Sequence, residues 1–218
     1  MPASPTASAP TPGRRERKRG QTLDHLAATA FALFEAQGFE AVTMEQVAAA
    51  ADVAKGTLYN HFPLKEALLA HQFHAEIAQA MGADLTASLS APEGFTARLS
   101  GWLEASARWC VGRRAYLPHY LRYRFLSLHP GDRAGDGSRS GMERLFEALI
   151  DAGQRDGELR ADLPAAHLAA LLQHLYLGAL MRWVALPAQD GDSARLDHEF
   201  AAIVELFVHG AGRARNGA

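Results

Sequence analysis

Residues 43–66 read TMEQVAAAADVAKGTLYNHFPLKE. Thr43 followed by Gln46 is a capping-box pair: the hydroxyl accepts from the Gln46 amide and the Gln46 side chain reaches back to the Thr43 amide. Met44, Val47, Ala48 and Ala51 then share one apolar face. A turn falls at Ala51-Asp52-Val53, where Asp52 is one of the few non-glycine types that tolerate a left-handed backbone. Val53 should plug the small core, and Ala54–His61 forms a second short helix carrying Lys55, Thr57, Tyr59, Asn60 and His61. Phe62-Pro63 breaks the chain before a long helix begins. Two short helices around a tight turn, the second rich in hydrogen-bonding side chains, are how a protein presents a helix to the DNA major groove.

Working outward, residues 20–37 carry an apolar stripe of Leu23, Leu26, Ala27, Ala30, Phe31 and Phe34, with Gly38 as the stop. Helical periodicity continues over 64–89, 92–112, 115–128, 141–156, 164–186 and 193–210, and no run alternates as a strand would. The expected fold is all-α with about nine helices. Residues 1–19 read as a disordered basic arm, 20–66 as a helix-turn-helix domain and 67–213 as a helical effector-binding and dimerisation domain. The segment 129–141, HPGDRAGDGSRSG, reads as a mobile loop.

Charge is informative through its placement. The chain of 218 residues has a net charge of −2, yet Arg14, Arg15, Arg17, Lys18 and Arg19 crowd together with only Glu16 opposing them. A local basic segment on a mildly acidic body suits a protein that meets phosphate at one end. The single Cys110 excludes an internal disulfide framework and a cysteine-rich zinc site. Residues 1–13 lack an apolar run and so read as neither signal peptide nor anchor. The stretch Leu168–Met181 is interrupted by Gln173 and His174 and is short for a bilayer. A cytoplasmic protein without a membrane partner is expected.

The spaced residues Ala27, Phe34, Gly38, Thr43, Val47, Ala48, Val53, Gly56-Thr57-Leu58-Tyr59, His61-Phe62, Lys65-Glu66 and Leu68 resemble the DNA-binding domain of the TetR family of transcriptional regulators. The resemblance covers residues 23–68; the remaining helices match in number, length and order. Two positions depart from the pattern: Asp52 stands where many members have Gly, and Ala54 where they have Ser. A missing cap at Ala54 costs about 1 kcal/mol of local helix stability unless another group replaces it. Leu64 also occupies a position where Ser, Asn or Asp is common.

The candidate DNA contacts are Arg17, Thr43, Lys55, Gly56, Thr57, Tyr59, Asn60, His61 and Lys65. Lys55, in the first turn of the second short helix, could reach guanine O6/N7 or a phosphate, or remain a solvated lysine. Gly56 either lets the duplex approach or serves internal packing. Thr57 could bond a base or phosphate, or touch a thymine methyl. Thr43 offers a helix N-terminus to phosphate. The resemblance implies phosphate clamps at Tyr59 and His61, the alternative for Tyr59 being a half-buried ring. Lys65 is expected to meet the DNA backbone from the far side of the groove. Asn60 is a candidate by position alone. The segment Arg14–Arg19 could enter the minor groove or coat flanking phosphates.

In the C-terminal half, Leu175, Gly178, Ala179, Phe200, Ile203, Val204 and Phe207 are the expected dimer residues, on helices that the resemblance implies pair with their symmetry mates. The alternative is a monomeric core. Trp102, Ser106, Trp109, Tyr120, Tyr123, Phe146 and His174 are candidate lining for a small apolar or aromatic effector, against a bland reading as ordinary core. Cys110 reads as a small buried hydrophobe. No nucleophile elbow, Walker loop or HExxH is found, and the His71/His74 pair lacks an assigned third ligand, so neither an enzyme nor a cofactor or metal site is expected. Together these readings make a ligand-responsive repressor that binds a palindromic operator as a homodimer. The rivals are a DNA-binding regulator or architectural factor without effector, and a helical enzyme.

Overall fold

Thr43 is extended at φ −104°, its hydroxyl accepts from the Gln46 amide and the Gln46 side chain accepts from the Thr43 amide, completing the capping box. From this start the computed structural model, which describes residues 13–90, 93–126, 141–188 and 192–211, builds an N-terminal unit. Helix α1 is Arg14–Gln37, α2 is Met44–Ala50, α3 is Lys55–His61, and the long α4 is Lys65–Ser90. The basic residues expected in a disordered arm are thus the first turns of α1, because Arg and Lys are good helix formers and nothing there breaks the pattern. The remaining arm residues, 1–12, lie outside the described residues, as does most of the expected loop, 127–140.

Leu26, Ala30, Phe34, Val42, Val47, Leu58 and Leu68 are buried in this unit, and Phe34 meets Phe39 at 4.8 Å between ring centroids. Gly38 takes φ +86° after α1, and Asp52 takes φ +53° between α2 and α3. Asp52 is the one non-glycine residue with positive φ among those described, as the sequence anticipates. Val53 is half-buried; the residue that plugs the core between the short helices is Leu58, with no exposed surface. Ala54 makes no side-chain cap at the start of α3.

Lys65 ties the unit together. Its Nζ donates to the Phe39 carbonyl at 2.7 Å and the Glu40 carbonyl at 3.2 Å, and sits 4.6 Å from the centre of the Phe39 ring. The unit runs to Gln72, six residues beyond the boundary expected from sequence, because the first turns of α4 belong to it.

The second unit begins at Phe73 and contains the rest of α4, α5 (Phe95–Gly112), α6 (Leu117–Leu126), α7 (Met142–Arg155), α8 (Ala165–Ala185) and α9 (Asp192–Ala211). Helix α7 packs on α8, α5 on α9 and α7, and α9 and α6 on α8. Leu99, Leu103, Phe146, Ile150, Leu172, Trp183, Leu196 and Phe200 are buried there. Helix α8 is longer than the apolar stretch read from sequence and is apolar enough to cross a membrane by length and composition alone. Its buried face is instead spent on α7 and α9. No strand occurs among the described residues.

Polar groups fix the helix ends. The Glu158 carboxylate accepts from the Phe95 amide at the start of α5, with oxygens at 2.8 and 3.1 Å. Arg114 locks α8 to α9: it donates to the Trp183 and Leu186 carbonyls at 3.2 and 2.6 Å, pairs with Asp192 at 2.9 Å, and lies 4.1 Å over the Trp183 ring. Both members of the ion pair are largely buried, so removing one strands the other. Arg114→Ala should therefore lower unfolding free energy by about 3 kcal/mol, read as an earlier urea midpoint at fixed protein concentration. An unchanged midpoint would remove Arg114 from the fold's supports.

Candidate nucleic-acid interface and effector cavity

Leu58 anchors α3 from beneath, and this single buried residue leaves Lys55, Gly56, Thr57, Tyr59 and Asn60 exposed, with His61 half-buried. Tyr59 retains 44% of its surface, so the half-buried reading of its ring gives way to an outward-facing one. A Cβ built on Gly56 would meet nothing within 4 Å, so internal packing does not demand glycine there. Thr43 is exposed with its hydroxyl on the Gln46 amide, so it caps α2. Arg15, Arg17, Lys18 and Arg19 are exposed on α1.

Two findings in this unit revise the sequence reading. Lys65 is not an outward phosphate clamp: its ammonium is turned onto Phe39 and Glu40, with Glu40 Oε2 at 3.8 Å, and its side chain is mostly covered. The loop after α1 leaves carbonyls that need a donor, and Lys65 supplies it. Glu45, unremarked in the sequence, lies 3.5 Å from the Lys55 ammonium. Its carboxyl is held below the usual range, first by its own backbone hydrogen bond at the start of α2 and then by the Lys55 charge. Glu45 lies ten residues before Lys55, and their pairing depends on the angle of the turn between α2 and α3, which sequence spacing does not give.

The second unit collects some of the candidate effector residues and disperses others. Trp109 and Tyr120 line a cavity with Ile77, Leu117, Arg124, Met142, Gln173, Tyr176, Leu177 and Leu180. Its volume is about 10 Å³, room for one water-sized guest. Phe73 packs against both Trp109 and Tyr120, at 4.8 and 5.3 Å between ring centroids. The Trp109 indole donates to Glu76 at 3.0 Å, and Arg113 also pairs with Glu76 at 3.2 Å. His74, buried, meets the Tyr120 hydroxyl at 3.1 Å. Its neighbour in the suspected metal pair, His71, bonds Asp24 instead at 2.8 Å. Among the described residues no group of three His, Cys, Asp or Glu side chains is placed to hold a metal.

Trp102, Ser106 and Phe146 stand one layer away, around Tyr176. Trp102 and Phe146 are 5.0 Å apart, and the Ser106 and Tyr176 hydroxyls are 2.7 Å apart. Tyr123 is half-buried on α6 and is not part of the lining. His174 is exposed, its Nδ1 at 2.6 Å from the Ala170 carbonyl, and does not line the cavity: it is turned about 100° around the helix from Gln173, toward solvent. Tyr176 was missed. It sits within an almost wholly apolar helix, where its hydroxyl has no local partner in sequence to mark it.

The expected dimer residues divide similarly. Phe200, Ile203, Val204, Phe207 and Ala179 are buried within the single chain and have little surface left for a partner. The apolar surface that remains on α8 and α9 belongs to Leu171 (46% exposed), Leu175 (36%), Met181 (44%) and Leu206 (63%), with Gly178 half-buried among them. A stripe of apolar residues does not say which member faces inward and which outward when both sides are greasy.

Cys110 Sγ lies 3.7 Å from the Tyr176 hydroxyl and is fully buried. Burial pushes its thiol up to about 11 and raises the Tyr176 phenol as well. Both groups are acids whose neutral form the fold favours, so the stability they confer is complete at neutral pH and is lost as pH rises from the unfolded thiol's range through about 11. Native protein at pH 8 should leave Cys110 unreactive to a thiol-exchange dye, with one equivalent appearing on unfolding. Prompt native labelling would contradict the burial.

Residues 26–71 match the family model described as bacterial regulatory proteins, tetR family. Over 185 residues the chain is 28% identical to the HTH-type transcriptional repressor KstR of Mycolicibacterium smegmatis, covering 84% of this chain and 85% of that protein. It is 47% identical over 62 residues, 28% of this chain and 27% of that one, to the HTH-type transcriptional regulator TcmR of Streptomyces glaucescens. Among solved structures, the repressor FadR of Thermus thermophilus, captured with lauroyl-CoA, superposes with a TM-score of 0.74 at 23% identity, over 90% of this chain and 98% of that one.

Proposed function

We propose that this chain, which belongs to the TetR family of transcriptional regulators, is a cytoplasmic repressor that binds a palindromic operator as a homodimer and is released by a small molecule. The observation that carries the reading is the α3 face: seven residues long, anchored by Leu58 alone, with its other donors and acceptors turned to solvent. In this reading Lys55 and Thr57 reach base edges or phosphates, Tyr59 and His61 grip phosphate, and Gly56 lets the helix backbone approach the duplex. Glu45 must release Lys55 as phosphate arrives, since a carboxylate beside DNA repels it. Arg17 and its neighbours on α1 supply attraction that does not depend on sequence.

One helix of seven residues reads too few base pairs for genomic specificity, which is the physical reason for a two-fold dimer. Leu171, Leu175 and Met181 on α8 and Leu206 on α9 are exposed apolar side chains suited to such pairing, and a Cβ on Gly178 would meet nothing within 4 Å. The effector site is the cavity walled by Trp109, Tyr120 and Tyr176. Within the second unit, Phe73, His74 and Glu76 of α4 contact the cavity-lining Trp109 and Tyr120. A ligand that favours the conformation with weaker DNA affinity lowers operator occupancy by linkage. The repressor FadR was solved with lauroyl-CoA and the Bacillus subtilis FadR with stearoyl-CoA, so proteins of this fold take up small molecules.

The smallness of the cavity favours a second reading, a DNA-binding regulator with no effector. Melting temperatures measured against a compound panel separate the two, because a ligand that binds the folded state raises the midpoint.

Selection of bound sequences from random DNA tests the main reading. A palindrome is expected, and an enriched site without two-fold symmetry would oppose the dimer. Lys55→Ala should abolish preference for the selected site, while Arg17→Ala should weaken all duplexes alike and flatten the dependence on salt by about one charge. Unaltered binding in both variants would overturn the assignment of the DNA face.

The pairing surface has its own test. Leu175→Glu combined with Leu206→Glu should weaken self-association by about a hundredfold or more, giving a monomer by sedimentation. Retention of the wild-type mass would move the interface elsewhere.

A further inference from the structure

We infer that Glu45 is a positioning residue of the DNA site: it commits Lys55 to the edge of a guanine and away from phosphate, and so sets sequence discrimination. The inference rests on reading α3 as the DNA-facing helix. It narrows that reading, in which Lys55 meets either a base edge or a phosphate.

The Lys55 ammonium lies 3.5 Å from Glu45 Oε1, and both side chains are exposed. Tyr59, one turn beyond Lys55 on α3, is exposed as well. The Glu45 carboxyl is drawn down by its own backbone hydrogen bond, then by Lys55, and more weakly by a hydrogen bond from Tyr59. It is an anion at neutral pH. A duplex that lies against Lys55 and Tyr59 therefore meets this negative charge too.

An ammonium has three donors, so one can stay on Glu45 while two remain. Guanine offers two neutral acceptors side by side in the major groove, O6 and N7, and no other base does. Its edge can share the ammonium with the carboxylate. A phosphate cannot do so without repulsion. At hydrogen-bond length from the same ammonium, its oxygen comes within about 6 Å of Glu45, well inside a screening length of about 8 Å. To reach phosphate, Lys55 must leave Glu45 and strand a carboxylate beside a polyanion. In water an exposed pair of this kind adds little to stability. Beneath a duplex, with water displaced, the same charges act more strongly. Glu45 could itself accept from a cytosine amino group, but here Lys55 and Tyr59 already engage it.

The full-length protein is titrated by fluorescence anisotropy with the selected operator and with a scrambled duplex of equal length, at several salt concentrations. Glu45→Gln should tighten binding to the scrambled duplex about tenfold and to the operator less than about threefold. On the scrambled duplex its salt dependence should steepen by about one charge. In a Lys55→Ala background, Glu45→Gln should shift both duplexes by the same factor. Operator guanines are also replaced one at a time by 7-deazaguanine, which lacks N7. At one position of each half-site this should weaken the wild type about tenfold and Glu45→Gln less than about threefold.

Equal tightening on both duplexes would reduce Glu45 to general repulsion and overturn the inference. So would a cytosine that vanishes from the motif selected by Glu45→Gln, since Glu45 would then read a base itself. A lowered melting temperature with equal loss on both duplexes would make it a structural residue, which also overturns the inference. If the wild type prefers its operator but no 7-deazaguanine weakens it, this inference falls and the DNA-binding reading stands. If the wild type prefers no duplex, both fall.

Discussion

A helix of seven residues cannot hold its own shape in water, because nucleating one costs more than two turns of hydrogen bonds return. Helix α3, the proposed DNA-facing element, is such a helix, so its orientation is borrowed from its surroundings. Leu58 fixes its depth, the left-handed Asp52 fixes the angle at which it leaves α2, and Phe62, buried at its end, fixes where it stops. Lys65 then fastens the following helix to the loop after α1 through two carbonyls and the Phe39 ring. Together these four residues hold the outward face of α3 in place.

The second unit uses a different device. Tyr176 is fully enclosed, stacked on Phe200 at 5.2 Å and flanked by Trp102 and Phe146. Its hydroxyl is satisfied by Ser106, with Cys110 beside it. A buried phenol is tolerable only with a partner, and the partner sits on α5. This one hydrogen bond therefore registers α8 against α5, and it does so at the wall of the cavity. The hydrophobic helices need no such register to pack, but a cavity of defined shape does.

Much of the fold was legible from local pattern. Capping at Thr43, the turn at Asp52, the stop at Gly38 and the periodicity of the long helices depend on neighbours a few residues away, and the structure agrees with them. Helix ends moved by a few residues, most at Arg14, nearly two turns before the expected start, where a basic run was read as solvated coil although its residues favour helix. The site was less legible, for a reason that differs by residue. Lys65 carries a charge like any surface lysine, and only the distant carbonyls of Phe39 and Glu40 reveal its duty. Phe200 and Phe207 lie on a helix covered by α5 and α8, so their greasiness says that they are covered without saying by what. His174 and Tyr176 are two residues apart yet on different faces of α8. Their roles turn on helix rotation, which composition does not carry.

The helical start of α1 has one more consequence. Arg15, Arg17, Lys18 and Arg19 are mounted on a rod with a fixed rise of about 1.5 Å per residue. Cations on a rod have already lost the chain freedom that a floppy tail would surrender when it settles on a polyanion. Were a duplex to lie against them, they would keep their spacing whatever its sequence, and at fixed spacing they would favour one pitch of phosphates over others. A preorganised comb of charge of this kind would serve as a ruler as well as a source of attraction.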